Sequence, residues 1–158
     1  MIFITVGTQA PFDRLVALID KWPEINQYEC FAQVANSKYI PQNIPFTNFL
    51  DERSFNERFD KAKIIISHAG MGTIISCLKS KKIILTLPRL GEYQEHRNNH
   101  QLDTTASLAE RGYIYPIFNE NDLVDRLSKL ADLKCLKSID DYASISLINF
   151  IKGELNNH

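Results

Sequence analysis

Cysteine is scarce and poorly placed for cross-linking: Cys30, Cys77 and Cys135 are odd in number, far apart and form no CxxC. A disulfide framework and a cysteine zinc site are thereby set aside, and free thiols suit a reducing cytosol. Blocks of one charge are missing too. Lys and Arg number 18 against 19 Asp and Glu, a net charge of −1. The basic stripe that neutralises phosphates along a nucleic acid is absent, so no nucleic-acid partner is expected. The short cluster Lys79, Lys81, Lys82 reads as a solvated helix end. No apolar run approaches the ~20 residues that span a bilayer, and the opening Met1-Ile-Phe-Ile-Thr-Val6 carries no basic leader. The expected localisation is cytoplasmic, with any attachment to a membrane borrowed from a partner.

What is present is ordinary globular composition, 44% hydrophobic and 23% charged over 158 residues, which fits a single domain over 1–158. Short apolar runs alternate with helical periodicities, the sequence form of repeated βα units. Strands are predicted at about 2–6, 28–34, 45–50, 63–67, 83–87 and 113–117. Lys63-Ile-Ile-Ile-Ser67 and Ile83-Ile-Leu-Thr-Leu87 lack polar alternation, as central strands covered on both faces do. A helix opening at Pro11 would put Phe12, Leu15, Val16, Ile19 and Trp22 on one core face. Further helices are expected at about 52–61, 71–81, 99–111 and 120–132, with Gly112 closing the fourth. The fold class is α/β: a Rossmann-like parallel sheet of about six strands with helices on both faces. Over 138–155, Ile139, Tyr142, Ile145, Ile148 and Ile151 recur at three-residue steps. That helix either packs on its own sheet or docks on a partner.

Ligands of open parallel sheets bind beyond the carboxyl ends of the strands. The unusual residues fall there: Gly7-Thr8-Gln9 after the first strand, His68-Ala-Gly70-Met71-Gly72-Thr73 after the fourth, and Pro88-Arg89 through His100-Gln101 after the fifth. Two glycines just before a helix let backbone N–H groups approach an anion closely, so the His68–Thr73 turn is either a diphosphate seat or a plain strand-to-helix turn. On the first reading a branched side chain at Gly70 should abolish nucleotide binding without unfolding the protein. His68 is open to a structural or a catalytic role. Arg89, Glu92, Glu95, His96, Arg97, Asn98, Asn99, His100 and Gln101 form the densest polar stretch. It suits hydroxyl-rich ligands, or is a solvated loop. If helical, His96 and His100 would imitate a metal pair, but no metal and no cofactor are expected.

Other nucleotide sites are disfavoured. Gly70-Met-Gly72 lacks the third glycine of GxGxxG, and the first βα turn reads Gly7-Thr-Gln-Ala-Pro-Phe12. No GxxxxGK[ST] occurs. Asp51 hints at a phospho-accepting receiver, but no acidic pair follows the first strand.

Taken together, Thr5-Val-Gly-Thr8 with Phe12-Asp-Arg-Leu15, Ser67-His-Ala-Gly-Met-Gly-Thr73, Pro88-Arg89, Glu95-His96-Arg97 and His100-Gln101 resemble the C-terminal domain of family 28 glycosyltransferases. The resemblance is greatest to the small subunit of two-component exopolysaccharide and capsule transferases, and extends to the catalytic subunit of the eukaryotic two-part UDP-GlcNAc transferase. It implies one half of a GT-B architecture, with a UDP-sugar as substrate, a membrane-associated acceptor-binding glycosyltransferase subunit as partner and a polyprenyl-diphosphate-linked acceptor. Gly70, Gly72 and Thr73 inherit the diphosphate, with Gly7 and Thr8 bordering it, and Met71 and Arg89 are further donor-binding candidates. His100 and Gln101 inherit the sugar, and His68 and His96 are catalytic candidates. Two positions depart from the family: Ser76 stands where longer members carry a ribose-gripping glutamate, and Ala35 where they carry glycine. The implied activity is inverting transfer, working only beside a partner; the alternative is a non-catalytic subunit that activates one.

Overall fold

The computed structural model describes residues 1–139 together with Asn149 and Ile151. Apart from those positions, the helix predicted over 138–155 lies outside the described residues. Six strands, β1 (Ile2–Thr5), β2 (Cys30–Gln33), β3 (Phe46–Thr47), β4 (Ile64–His68), β5 (Ile83–Leu87) and β6 (Tyr115–Pro116), form one sheet in the order β3-β2-β1-β4-β5-β6. All five pairings are parallel. Between and after them run α1 (Asp13–Asp20), α2 (Glu52–Lys61), α3 (Met71–Lys79), α4 (His100–Glu110) and α5 (Glu120–Ser128). The expected α/β architecture is the observed one.

Alternation along each strand builds two cores. Ile2 and Ile4, Ile64 and Ile66, and Ile83, Leu85 and Leu87 meet Leu15, Val16 and Ile19 of α1 and Leu123 and Leu127 of α5. Phe3, Ile65 and Ile84 point the other way, onto Phe59 of α2, Ile74, Cys77 and Leu78 of α3 and Leu108 of α4. Burying each such side chain contributes roughly 1.5–3 kcal/mol. Helix ends follow local chemistry: Asp51 accepts the Ser54 N–H at 2.9 Å, Asn119 accepts that of Asp122 at 3.0 Å, and Gly112 follows α4 at φ +73°.

Several boundaries differ from expectation, among them β6, expected at 113–117, and α5, expected to run to 132. The predicted strand at 45–50 is regular only over Phe46–Thr47, although Val34 and Ala35 still donate to Thr47 O and Asn48 O at 3.0 and 2.8 Å. Ala35 reaches that carbonyl at φ +52°, a left-handed conformation in which a Cβ is strained. The first helix opens at Asp13 rather than Pro11, with Phe12 as its N-cap.

At the carboxyl end of the sheet the apolar rows give way to one polar row. Thr47, Gln33, Thr5, Ser67 and Thr86 lie in register across five strands, and the last four are buried. Because successive crossovers leave β1 in one direction and β4 in the other, a crevice opens between their carboxyl ends.

Away from that crevice, Asp20 ends α1 and is 1% exposed. Its carboxylate accepts the Tyr39 hydroxyl at 2.7 Å and the backbone N–H groups of Gln42, Asn43 and Ile44 at 2.9, 2.8 and 3.0 Å. Burial alone would raise this carboxyl, but those four donors outweigh it and hold it below its ordinary value. The same bond pushes Tyr39 up to about 12. Asp20→Ala removes the acceptor that fixes the connection from β2 to β3, and should cost about 2–3 kcal/mol in urea unfolding at neutral pH. Because the folded carboxyl is depressed, its contribution is complete above the unfolded value near 4 and fades as pH falls through the folded one. The difference between wild type and Asp20→Ala should therefore shrink in strong acid.

Candidate functional site

The crevice holds a cavity of about 310 Å³ lined by Val6, Gly7, Thr8, Gln9, His68, Gly70, Gly72, Thr73, Arg89, His96 and Gln101. Residues from three separate predicted loops thus converge. A second cavity of about 330 Å³ shares Gly7, Thr8, Gly72 and Thr73 and continues past Thr5, Gln33 and Ser76 to Phe55 and Phe59. The two form one groove around the N-terminus of α3. Neither is lined by an Asp or a Glu, whereas Arg89 and the orphan N–H groups of the first helical turn bring positive potential. Such a groove suits an anionic ligand with an apolar-walled extension.

His68 closes β4, and its ring fills the space between the turns at Gly7 and Gly70. A Cβ added at Gly7, whose φ is +77°, would stand 2.9 Å from His68 Cε1. One added at Gly70 would overlap Nε2 and stand 2.8 Å from Cε1. Gly70 is therefore required by the imidazole, before any ligand is considered. The expectation that a branched side chain at 70 would obstruct only the ligand does not survive. Gly72, by contrast, has nothing within 4 Å of an added Cβ; it faces the open groove. Burial, then the nearby Arg89 charge, lowers His68 to about 4, against a smaller opposing hydrogen bond at the Thr5 backbone. At neutral pH it is an uncharged ring with Nδ1 3.3 Å from Ser67 Oγ. It can orient a ligand or bond it, but holds no proton to donate as an imidazolium.

Arg89 is 4% exposed. Its Nη2 donates to Val6 O at 2.9 Å and Ala10 O at 2.7 Å, clamping the turn after β1. Its Nε has no partner among the described residues. Burial lowers its pKa while Glu95 opposes the shift. Much of its bonding is thus structural, and it presents charge to the cavity. The Arg89 backbone N–H donates to Gln101 Oε1 at 3.1 Å, which fixes the amide and leaves Gln101 Nε2 without a hydrogen-bond partner among the described residues. Gln33, at the end of β2, donates to Gly7 O at 3.2 Å and accepts the Leu50 N–H at 3.1 Å.

The remaining candidates separate. His96 reaches the cavity from an exposed bend and lies 3.0 Å from Asn98 Oδ1 through Nδ1. His100 begins α4, so the two are not on one helix, and His100 does not line the cavity. Among the described residues no group of three His, Cys, Asp or Glu is placed to hold a metal ion. Met71 packs against the core beneath α3 instead of lining the groove. Ser76 lines the second cavity with its hydroxyl donating to Gly72 O at 2.9 Å. Gln9 joins the lining, as does the Phe55–Phe59 wall, which no motif announced.

Two measurements test this geometry. Gly72→Val should fold with wild-type stability or better, since leaving glycine in a helix recovers roughly 0.5 kcal/mol, yet should weaken UDP binding at least tenfold in calorimetry. Gly70→Ala should instead destabilise by about 1–3 kcal/mol through overpacking against His68, seen as a lower denaturant midpoint without ligand. Followed by NMR, the His68 ring should stay neutral down to about pH 5. Because the unfolded chain takes the proton more readily, its contribution is complete above pH 6.5 and falls by up to roughly 3 kcal/mol towards pH 4.

The chain has recognisable relatives. The human UDP-N-acetylglucosamine transferase subunit ALG13 is 27% identical over 125 residues, covering 72% of this chain and 11% of the human protein. The Mus musculus subunit of that name is 27% identical over 124 residues, covering 72% and 10%. The chain therefore spans about a tenth of the length of these curated relatives. Among solved structures, the NMR solution structure of ALG13 superposes with a TM-score of 0.60 at 18% identity, covering 86% of this chain and 87% of that one. Acinetobacter baumannii MurG gives 0.54 at 16% identity, covering 82% and 40%. These likenesses speak of the fold: one Rossmann-like half of the GT-B kind. A family profile described as "Glycosyltransferase family 28 C-terminal domain" matches residues 1–143, and with most of the chain inside it, this protein belongs to that family.

Proposed function

We propose that this chain is the donor-binding catalytic subunit of a two-component inverting glycosyltransferase, moving a sugar from a UDP-sugar to a lipid-linked saccharide in exopolysaccharide or capsule synthesis. The observation that carries the reading is the groove around the N-terminus of α3, which is free of carboxylates and bordered by a buried arginine. The name of the human and mouse relatives, a subunit of a UDP-N-acetylglucosamine transferase, supports it.

In this reading the diphosphate lies against the first turn of α3 at Gly70, Gly72 and Thr73. As the glycosidic bond to the diphosphate breaks, charge develops on the leaving oxygen. Fixed N–H dipoles and the Arg89 charge stabilise it without reorganisation. Gln101 Nε2, its amide oxygen already held by Arg89 N–H, donates to a sugar hydroxyl. His96 at the cavity edge adds a hydrogen bond. Inversion needs a base within hydrogen-bond reach of the acceptor hydroxyl, on the face of the sugar opposite the departing diphosphate. We assign that base and the polyprenyl-diphosphate-linked acceptor to a membrane-associated partner subunit, which would hold this chain at the inner face of the membrane. Among the described residues no helix is long and apolar enough to cross one.

Calorimetric titration of UDP and of UDP-N-acetylglucosamine into this chain and into the separated partner is the test. Binding by this chain is expected; donor binding by the partner alone would leave this chain an activator and defeat the proposal. Within the same experiment, Gln101→Ala should weaken UDP-N-acetylglucosamine by about tenfold, the scale of one lost hydrogen bond in a desolvated site, and UDP itself much less. Equal losses would mean that Gln101 serves the nucleotide or the fold.

A further inference from the structure

The cavity depends on a loop that its own chemistry does not hold in place. Between β5 and α4, residues 91–99 are mostly exposed and make a 3-10 turn over Gly91–Tyr93 followed by bends, with Gln94 left-handed at φ +56°. Most of their hydrogen bonds are internal or reach the start of α4, such as Gly91 N–H to Asn99 Oδ1 at 3.0 Å. Glu95 is the exception. Its carboxylate accepts two N–H groups of Arg14, Nε at 2.9 Å and Nη2 at 2.8 Å, and the Leu90 N–H at 3.0 Å. Arg14 Nη2 also donates to Pro88 O at 2.8 Å. One guanidinium on the first turn of α1 therefore grips both the start and the middle of the loop. The pair is well shielded, with side-chain exposures of 23% for Arg14 and 11% for Glu95, and its fork-to-carboxylate geometry is the stronger, directional kind of ion pair. Tyr93 covers the guanidinium at 5.0 Å, while Phe12 packs between Arg14 at 5.3 Å and Arg89 at 5.2 Å. The residue after Glu95 is His96, which reaches the cavity.

We propose that Arg14 and Glu95 are positioning residues for the sugar end of the donor: their ion pair sets the loop so that His96 and Gln101 meet the sugar, while the diphosphate seat on α3 stands independently of it. Neither side chain lines the cavity, so both act through the loop. The inference rests on the nucleotide-sugar reading above and adds which contacts fail when the loop is released. The seat at Gly70–Thr73 is built on β4 and α3, and the Arg89 guanidinium beside it is held by Val6 O and Ala10 O on the turn after β1, none of which the pair supplies. The sugar contacts come from the loop and from the first turn of α4 that it delivers. Loss of the pair therefore divides the ligand in two.

The experiment compares wild type with Glu95→Gln, Arg14→Met and Arg14→Lys, using UDP and UDP-N-acetylglucosamine as probes in calorimetry and thermal melting for folding. Glu95→Gln keeps an acceptor for Leu90 N–H but loses the charge; Arg14→Lys keeps the charge but loses the fork. The expected result is a rise of tenfold or more in the Kd for UDP-N-acetylglucosamine with Glu95→Gln and Arg14→Met, an intermediate rise with Arg14→Lys, and a change of less than about threefold for UDP in all three. The ratio of the two constants is the decisive reading, because a folding defect lowers the active fraction for both ligands alike. An unchanged ratio in variants that still fold, in Arg14→Lys if the others do not, would overturn the positioning role and leave the donor reading standing. Wild type that binds UDP but gains nothing from the sugar would also overturn the positioning role. Wild type that binds neither probe would overturn the donor reading and this inference together.

Discussion

A parallel sheet covered on both faces has nowhere to keep polar side chains except at the ends of its strands, and that constraint organises this molecule. Through the middle of β1, β4 and β5 every side chain is apolar and packed. At the last residue of β2 and β1 and the last but one of β4 and β5, polarity arrives in register as Gln33, Thr5, Ser67 and Thr86. Immediately beyond come the turn at Gly7 and the turn at Gly70. The polar row thus serves as a floor, fixed by the same hydrogen-bonded register that builds the core. Gln33 shows the coupling most directly, because its amide bonds both the turn after β1 and the chain entering α2.

Above that floor the chemistry is governed by competition for a small space. The neutral imidazole of His68 takes the room between two glycine turns, and the buried guanidinium of Arg89 opposes its protonation. Two positive groups are not forced together, and an approaching anion meets the arginine charge and helix dipole without a fixed carboxylate in the lining to repel it. Arg89 spends one nitrogen on two backbone carbonyls, so the charge felt in the cavity also shapes the cavity's first wall.

The layered fold was legible because its signals are local. The unbroken apolar runs at 63–67 and 83–87 correspond to β4 and β5, and the helix expected at 52–61 matches α2 at both ends. The loops beyond the strands could also be named, since glycine and clustered polar residues mark them. What spacing could not reveal were partnerships across the chain. Arg14 and Glu95 are 81 residues apart and Gln33 and Gly7 26; no periodicity links them. Nor does a glycine disclose which atom demands its smallness. Gly70 and Gly72 look alike in sequence, yet one yields to a histidine ring and the other to open space. His100 and Gln101 read as a pair, but the helix turns neighbours about 100° apart, and Gln101 is the one that lines the cavity.

Both margins of the sheet are very short. β3 contributes Phe46 and Thr47, and β6 contributes Tyr115 and Pro116, the second of which has no N–H to offer. A sheet margin that brief gives an incoming extended segment almost no ladder to extend, which protects the molecule from edge-to-edge growth. It also restricts how another polypeptide can recognise this one. Strand addition is closed as a mode of assembly along the described sheet, and any lasting association must be built from side chains on helices and loops, where shape and charge rather than a repeating backbone choose the companion.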